Sequence, residues 1–285
     1  ATSSRAMFEA CDTAGINFFD TAHTYTNGLS EEFLGEFIRP VREKLIIATK
    51  AGYTGGSNRD NILQQFEESR ARLGLDVIDI LYLHRWDDET HLQETFETLC
   101  DLQQSGKIRY IGVSNFAAWQ VMKAQAVAGA LGTRIDIIQP MYSLVKRQAE
   151  VELFPMALSE EILVAPYSPL GSGLLTGKYL SGGAGRLSTD NRYAARYGQD
   201  WMLETAQALS ELAAQMGVDA ATLAVAWAAH HAAVTAPIIS ARNTVQLKAS
   251  LDAQNLKLNE TDYARIEALS PRPAPATDRL EEAVH

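Results

Sequence analysis

Short runs of β-branched and aromatic residues recur along this chain with helix-like patterns between them, and that alternation restricts the fold more than any other feature. The runs cover residues 16–19, 45–48, 77–83, 108–113, 135–138, 162–165 and 237–239, each with the length and composition of a buried strand. Between them apolar residues return at helical spacing. Phe33, Leu34 and Phe37 follow a capping Ser30, and Ile62, Leu63, Phe66 and Leu73 share one side of a helix over 59–73. Leu92, Phe96 and Leu99 precede a stop at Ser105 and Gly106. Further helices are expected over 5–14, from 117, over 203–216, over 220–230 and from 244. Strands that alternate with helices imply a parallel sheet, and strands apolar throughout imply one covered on both faces.

Seven strands can be counted, whereas a closed (β/α)8 TIM barrel needs eight. An open doubly wound sheet would carry a Gly-rich phosphate loop after its first strand, and nothing of that kind precedes residue 52. The α/β chain is therefore expected to be a (β/α)8 TIM barrel whose first strand is absent from the sequence, with 1–285 forming one domain. Pro271, Pro273 and Pro275 make an irregular tail of 271–285.

Apolar residues make up 46% of the 285, enough for a large core, yet no stretch approaches the ~20 uninterrupted apolar residues of a membrane span. No basic segment leads into an apolar one at the start, so a soluble cytoplasmic protein without a membrane partner is expected. A net charge of −10 provides no global field for a nucleic-acid backbone. Cys11 and Cys100 fall in helical patterns and read as reduced thiols. His230 and His231 are neighbours on one helix, diverge by roughly 100° and make a poor metal pair, so no metal is expected. Glu31 and Glu32, Glu67 and Glu68, and Glu160 and Glu161 read as solvated helix surface.

Two motifs fall short of what they imitate. Residues 112–116, Gly-Val-Ser-Asn-Phe, place Phe116 where a nucleophile elbow needs glycine. From Gly171 to Lys178 the spacing is one residue too long for a P-loop, and Tyr179 stands where a metal-binding hydroxyl belongs.

Asp20, Tyr25, Lys50 and His84 each sit at or just beyond the C-terminal end of an apolar run. An acid, a phenol, an amine and an imidazole delivered to the same end of neighbouring strands form a candidate proton-transfer site. A phenol with an ordinary pKa of ~10 gives up its proton near neutrality only where a cation stabilises the phenolate. Lys50 would supply that cation, Asp20 would neutralise the buried ammonium, and His84 would orient a carbonyl.

The segments Phe19-Asp20-Thr21-Ala22, Tyr25, Thr49-Lys50, Leu83-His84-Arg85-Trp86 and residues 112–116 occur in that order, followed by Ile138-Gln139-Pro140 and Tyr167-Ser168-Pro169-Leu170-Gly171. Together they make the sequence similar to the aldo-keto reductase family, in the subgroup of bacterial oxidoreductases and potassium-channel β subunits, over about residues 5–255. The resemblance implies an NAD(P)H-dependent reduction of an aldehyde or ketone, with Tyr25 as general acid and Asp20, Lys50 and His84 in support. It implies that Ser114, Asn115 and Gln139 hold the nicotinamide carboxamide and that Tyr167 stacks on the ring. Ser168, Pro169, Leu170, Gly171, Gly173, Thr176 and Lys178 would wrap the pyrophosphate. Ser240 and Arg242 would take a 2′-phosphate, favouring NADPH without excluding NADH, and Gln246 and Ser250 would approach the adenine, although Ala249 and Ser250 stand where the family usually has an acidic residue and asparagine. Tyr53, Arg85 and Trp86 follow catalytic strands and would line the substrate pocket, with Arg186, Arg192, Tyr193, Arg196 and Tyr197 of residues 181–200 closing over it.

The same resemblance keeps two alternatives: a cofactor-sensing subunit and a sugar or alcohol dehydrogenase working in the oxidative direction. It leaves homo-oligomerisation open. A strand and a hairpin ahead of residue 5, and a longer connection between Gly52 and Asn58, belong to the family pattern, so the chain is expected to be part of a longer polypeptide.

Overall fold

The computed structural model describes residues 2–180, 182–183 and 185–282, and its contacts divide into two compact units, Ala1–Gln139 and Pro140–His285. The first contains α1 (Thr2–Thr13), β1 (Phe18–Asp20), α2 (Leu29–Ile38), β2 (Ile46–Ala51), α3 (Arg59–Leu73), β3 (Ile78–Leu83), α4 (Leu92–Gln104), β4 (Ile108–Ser114), α5 (Ala118–Ala130) and β5 (Ile137–Gln139). Its five strands are parallel neighbours in chain order. Asp20 pairs with Ala48, Lys50 with Tyr82, Tyr82 with Gly112, and Ser114 with Gln139. This register collects the strands' C-terminal ends, and the polar residues they carry, along one edge.

The strands are apolar because both faces are covered. Every residue of β3 is buried, including Asp79, whose carboxylate accepts from Arg42 Nη2 (2.6 Å) and the Ile47 amide (2.8 Å). Ile62, Phe66 and Leu73 of α3 are essentially inaccessible, as the helical spacing predicts. Asn58 caps that helix by accepting from the Asn61 amide at 3.0 Å, and Gly74 ends it in the left-handed region at φ 64°.

The second unit contains α6 (Leu153–Ser159), β6 (Leu163–Val164), α7 (Arg186–Thr189), α8 (Asn191–Tyr197), α9 (Asp200–Met216), α10 (Ala220–His230), α11 (Thr244–Asp252) and α12 (Glu260–Glu267). Tyr142 and Trp227 stack at 5.2 Å in its core, with Phe154 edge-on to Tyr142 at 4.8 Å. Buried Arg147 donates to both Glu150 oxygens at 2.8 Å and to Glu267 at 2.5 Å. His231 accepts from the Ala233 amide at 3.2 Å and His230 lies against Tyr263, so both serve packing.

Several expectations change. Among the described residues six strands form. Residues 237–239, read as a seventh, contribute one bridge, from Ile238 to Tyr167, and Pro237 has no N–H to extend it. Ser30 does not cap α2. The helix begins at Leu29 behind Gly28, and the Ser30 hydroxyl pairs with Thr21 Oγ1 at 2.8 Å. Glu31, read as solvated, is wholly buried. Residues 148–159, for which no helix was expected, form a 3-10 turn and α6. Residues 186–197 form two short helices, while Ser181 and the Arg186 side chain lie outside the described residues. The tail is irregular from 271 up to a single 3-10 turn at Leu280–Glu282. No single helix among the described residues is long and apolar enough to cross a membrane.

Candidate active site

Lys50 is 1% exposed, and an ammonium so placed is costly unless it is paired and hydrogen-bonded. It donates to Asp20 Oδ2 and, at 2.8 Å, to the Thr21 carbonyl. Two phenol rings flank it: Tyr25 with its centroid 4.8 Å from Nζ and Tyr82 at 5.8 Å. Tyr82 reaches that position because Gly112 on the next strand has no side chain; a Cβ there would stand 2.4 Å from Tyr82 Cδ1. Burial, then the Asp20 charge, push the Tyr82 phenol well above its ordinary pKa, so it stays protonated.

The second Asp20 oxygen accepts from Gln139 Nε2 at 2.9 Å. The Gln139 carbonyl accepts from Ser114 Oγ at 2.9 Å, Ser114 Oγ accepts from Asn115 Nδ2 at 3.1 Å, and the same Asn115 amide donates to the His84 carbonyl at 2.9 Å. Asn115 makes the turn at φ 59°, a conformation asparagine adopts more readily than most residues. One hydrogen-bond chain thus runs from Lys50 through Asp20, Gln139, Ser114 and Asn115 to His84, touching the ends of all five strands.

His84 is 8% exposed, and burial, with the Lys50 and Arg85 charges adding, lowers its pKa from 6.5 to about 4. The imidazole is therefore neutral at physiological pH. It lies edge-on to Tyr25 at 5.7 Å, and its Nδ1 has no hydrogen-bond partner among the described residues. Tyr25 begins the 3-10 segment Tyr25–Gly28 and is 39% exposed, so the phenol lies where a small molecule can reach it.

Tyr53 covers His84 at 4.8 Å and Arg85 lies 4.9 Å above the Tyr53 ring. Trp86 meets Phe116 and Trp119 edge-on at 5.2 and 5.6 Å and donates to Asp88 at 2.6 Å. A depression of about 240 Å³ opens here, bounded by Gly52, Gly56, Arg85, Trp86 and residues 87–89. Of the three residues expected to line a substrate pocket, Tyr53 lies against His84, while Arg85 and Trp86 border the depression. Trp119, in the first turn of α5, packs against Trp86 and was not anticipated from the sequence.

The remaining candidates belong to the second unit. Tyr167 bridges Met141 and Ile238, with its amide on the Pro140 carbonyl at 2.9 Å. Beyond it the backbone turns left-handed at Ser168 (φ 62°) and again over Gly171, Ser172 and Gly173 (φ 54°, 57°, 87°). Pro169 is buried and Leu170 half-buried. Thr176 Oγ1 donates to the Gly173 carbonyl at 2.8 Å, and a Cβ on Gly173 would stand 2.9 Å from Lys178 Nζ. Successive turns of this kind form concave anion cradles, and the glycine leaves room for the lysine cation over the loop, so the residues fit a pyrophosphate.

Ser240 and Arg242 are exposed ahead of α11, whose first turn is capped by Asn243 accepting from the Gln246 amide at 3.0 Å. Gln246 Oε1 accepts from the Arg242 amide at 3.3 Å. A capped helix start with an exposed arginine fits a phosphate. Ser250 occupies the buried face of α11, 3% exposed. Tyr197, expected to cover the substrate, is instead fully buried, its hydroxyl 3.5 Å from Met141 Sδ. Arg192 pairs with Asp190, and Arg196 lies over Tyr193 at 5.6 Å.

The Aldo/keto reductase family model matches residues 1–271. A probable voltage-gated potassium channel subunit beta from Oryza sativa subsp. japonica is 32% identical over 268 residues, covering 87% of this chain and 81% of its own. The uncharacterized oxidoreductase YrpG of Bacillus subtilis (strain 168) is 33% identical over 297 residues, covering 97% and 89%. The L-glyceraldehyde 3-phosphate reductase of Escherichia coli (strain K12) is 30% identical over 290 residues, covering 93% and 83%.

Proposed function

The chain belongs to the aldo/keto reductase family, and we propose that it reduces an aldehyde or ketone to its alcohol with NADPH in preference to NADH. The observation that carries this reading is the buried Lys50–Asp20 pair set beneath the half-exposed Tyr25 ring.

The bound nicotinamide supplies the hydride. As the carbonyl oxygen gains negative charge, Tyr25 delivers a proton to it, and the Lys50 cation beside the ring favours the phenolate that results. Asp20 keeps Lys50 charged in a buried place and is itself held by Gln139. Neutral His84 binds the carbonyl oxygen and orients it. Ser114, Asn115 and Gln139 would hold the carboxamide, Tyr167 would bind the nicotinamide ring, the turn from Ser168 to Lys178 would take the pyrophosphate, and Ser240 and Arg242 would take the 2′-phosphate. Gln246 and Ser250 are the adenine-side candidates. Tyr53, Arg85 and Trp86 face the substrate, an arrangement that suits a small carbonyl compound with an anionic or aromatic group. In this reading one barrel domain works in the cytoplasm on a small-molecule substrate, without nucleic acid or membrane, and homo-oligomers are compatible with it.

A second reading, a subunit that binds the cofactor and senses its redox state, draws on the likeness to the rice protein named as a channel subunit. NADPH absorbance with a panel of aldehydes and ketones separates the two. Turnover abolished in Tyr25→Phe supports the reductase. Cofactor binding without turnover on any compound, including alcohols with NADP+, refutes it and supports the sensor.

A further inference from the structure

The segment that presents Tyr25 is held in place from outside the proton-transfer set. Thr26 and Asn27 are left-handed (φ 49° and 54°), followed by Gly28 at φ 91°. Two non-glycine residues in that region are uncommon and persist only where the surroundings enforce them. The enforcing group is Arg72 of α3. Its Nη1 donates to the His23 carbonyl at 3.2 Å, two residues before Tyr25, and its guanidinium lies so close to Gly28, three residues after, that a Cβ there would stand 2.7 Å from Cζ. Arg72 therefore grips the Tyr25 segment at both ends.

Arg72 is fixed in turn. It donates to Glu31 Oε2 at 3.1 Å and to Glu68 at 3.4 Å, and Glu68 also meets His23 Nε2 at 2.7 Å. Glu31 is completely buried in α2, and its other oxygen accepts from Thr49 Oγ1 at 2.5 Å, the residue next to Lys50. The His23 amide donates to the Lys50 carbonyl at 3.1 Å. A buried carboxylate and an arginine thus connect the strand that carries Lys50 to the turn that carries Tyr25.

We infer that Glu31 and Arg72 are positioning residues that set the approach of the Tyr25 phenol to Lys50, without touching substrate or cofactor. The inference rests on the reductase reading for its kinetic consequence but not for its geometric one. A misplacement of about 1 Å at a reacting group can cost on the order of 100-fold in rate.

The test uses the full chain with Arg72→Met, Arg72→Lys, Glu31→Gln and the double variant Glu31→Gln/Arg72→Met. The single Arg72→Met leaves a buried carboxylate unpaired and loses stability, whereas the double variant removes both charges and regains it. If the pair positions Tyr25, the double variant has a near-wild-type Tm, a kcat about 10- to 100-fold lower and an unchanged KM for NADPH. Arg72→Lys keeps the charge but not the fork and does not restore kcat. A double variant with wild-type kcat overturns the inference. Crystal structures of the cofactor-free wild type and double variant give a readout besides activity: displacement of the Tyr25 ring from Lys50 supports the inference, and superposable rings refute it. Absence of turnover in the wild type counts against the reductase reading alone, and the structural comparison then decides the inference.

Discussion

Lys50 and Tyr25 meet through the face of the phenol ring, 4.8 Å from ammonium to centroid, while the same ammonium donates a hydrogen bond to Asp20. The cation is therefore shared between a carboxylate that anchors it and the face of a phenol ring. Neither neighbour alone makes that arrangement stable: the carboxylate is 7% exposed and the lysine 1%, so each needs the other to be buried at all.

Lys50→Met should expose that dependence. It strands Asp20 as an unpaired buried charge, with an expected cost of about 3–5 kcal/mol, and removes the phenolate's counter-charge. Adding Asp20→Asn should restore most of the stability but none of the turnover. Urea unfolding and NADPH oxidation measured on the single and double variants separate the two effects; recovery of activity along with stability would show that Lys50 is only structural.

His84 gives a pH signature. Its folded pKa is depressed from 6.5 to about 4, so below pH 6.5 the unfolded chain binds a proton that the folded chain refuses. Stability contributed by the neutral ring is present above pH 6.5, falls as pH drops through that window and is about 3 kcal/mol lower by pH 4. His84→Gln removes the titrating group, so the wild-type and variant unfolding free energies, plotted against pH, should converge on acidification. Parallel curves would refute the assignment.

The strand ends were legible because polar residues interrupt apolar runs at Asp20, Lys50 and His84, and a sheet register brings such positions together. Glu31 was not. It sits in a pair of glutamates on an amphipathic helix, which reads as solvated surface, and only the tertiary placement of Arg72 and Thr49 makes its burial tolerable. Tyr82 was hidden for a similar reason: within an apolar run it looks like core, and its place under Lys50 depends on Gly112 one strand away. The two short helices within 186–197 escaped because four and seven residues carry too little periodicity to see. Ser30 misled because serine ahead of an apolar stripe is a common cap, whereas here Gly28 makes the turn.

Gly112→Ala tests whether the Tyr82 ring is a fitted part of the floor beneath Lys50. The added methyl would meet a fully buried ring at 2.4 Å, so either the ring or the strand must move. Overpacking of this kind typically costs about 1–3 kcal/mol. Tyr82→Leu in the same chain should return part of that stability. A Gly112→Ala variant with an unchanged Tm would mean the strand yields freely at this point.

In the proposed function Arg242 would set the preference between NADPH and NADH. It is exposed ahead of α11, with its own amide held by Gln246 and the helix start capped by Asn243, so the guanidinium is free of the duty of capping. A charged hydrogen bond from it to a 2′-phosphate contributes about 1.5–3 kcal/mol, which corresponds to a rise of roughly 10- to 100-fold in the NADPH dissociation constant on Arg242→Ala. NADH has no 2′-phosphate and should bind the variant as well as it binds the wild type. Arg242→Lys should fall between them, because it keeps a point charge and loses the planar fork. Fluorescence titration of both cofactors reads these constants without turnover. Equal losses for NADPH and NADH would place the arginine on a group the two share, the pyrophosphate or the adenine, and would remove the basis for a preference between them.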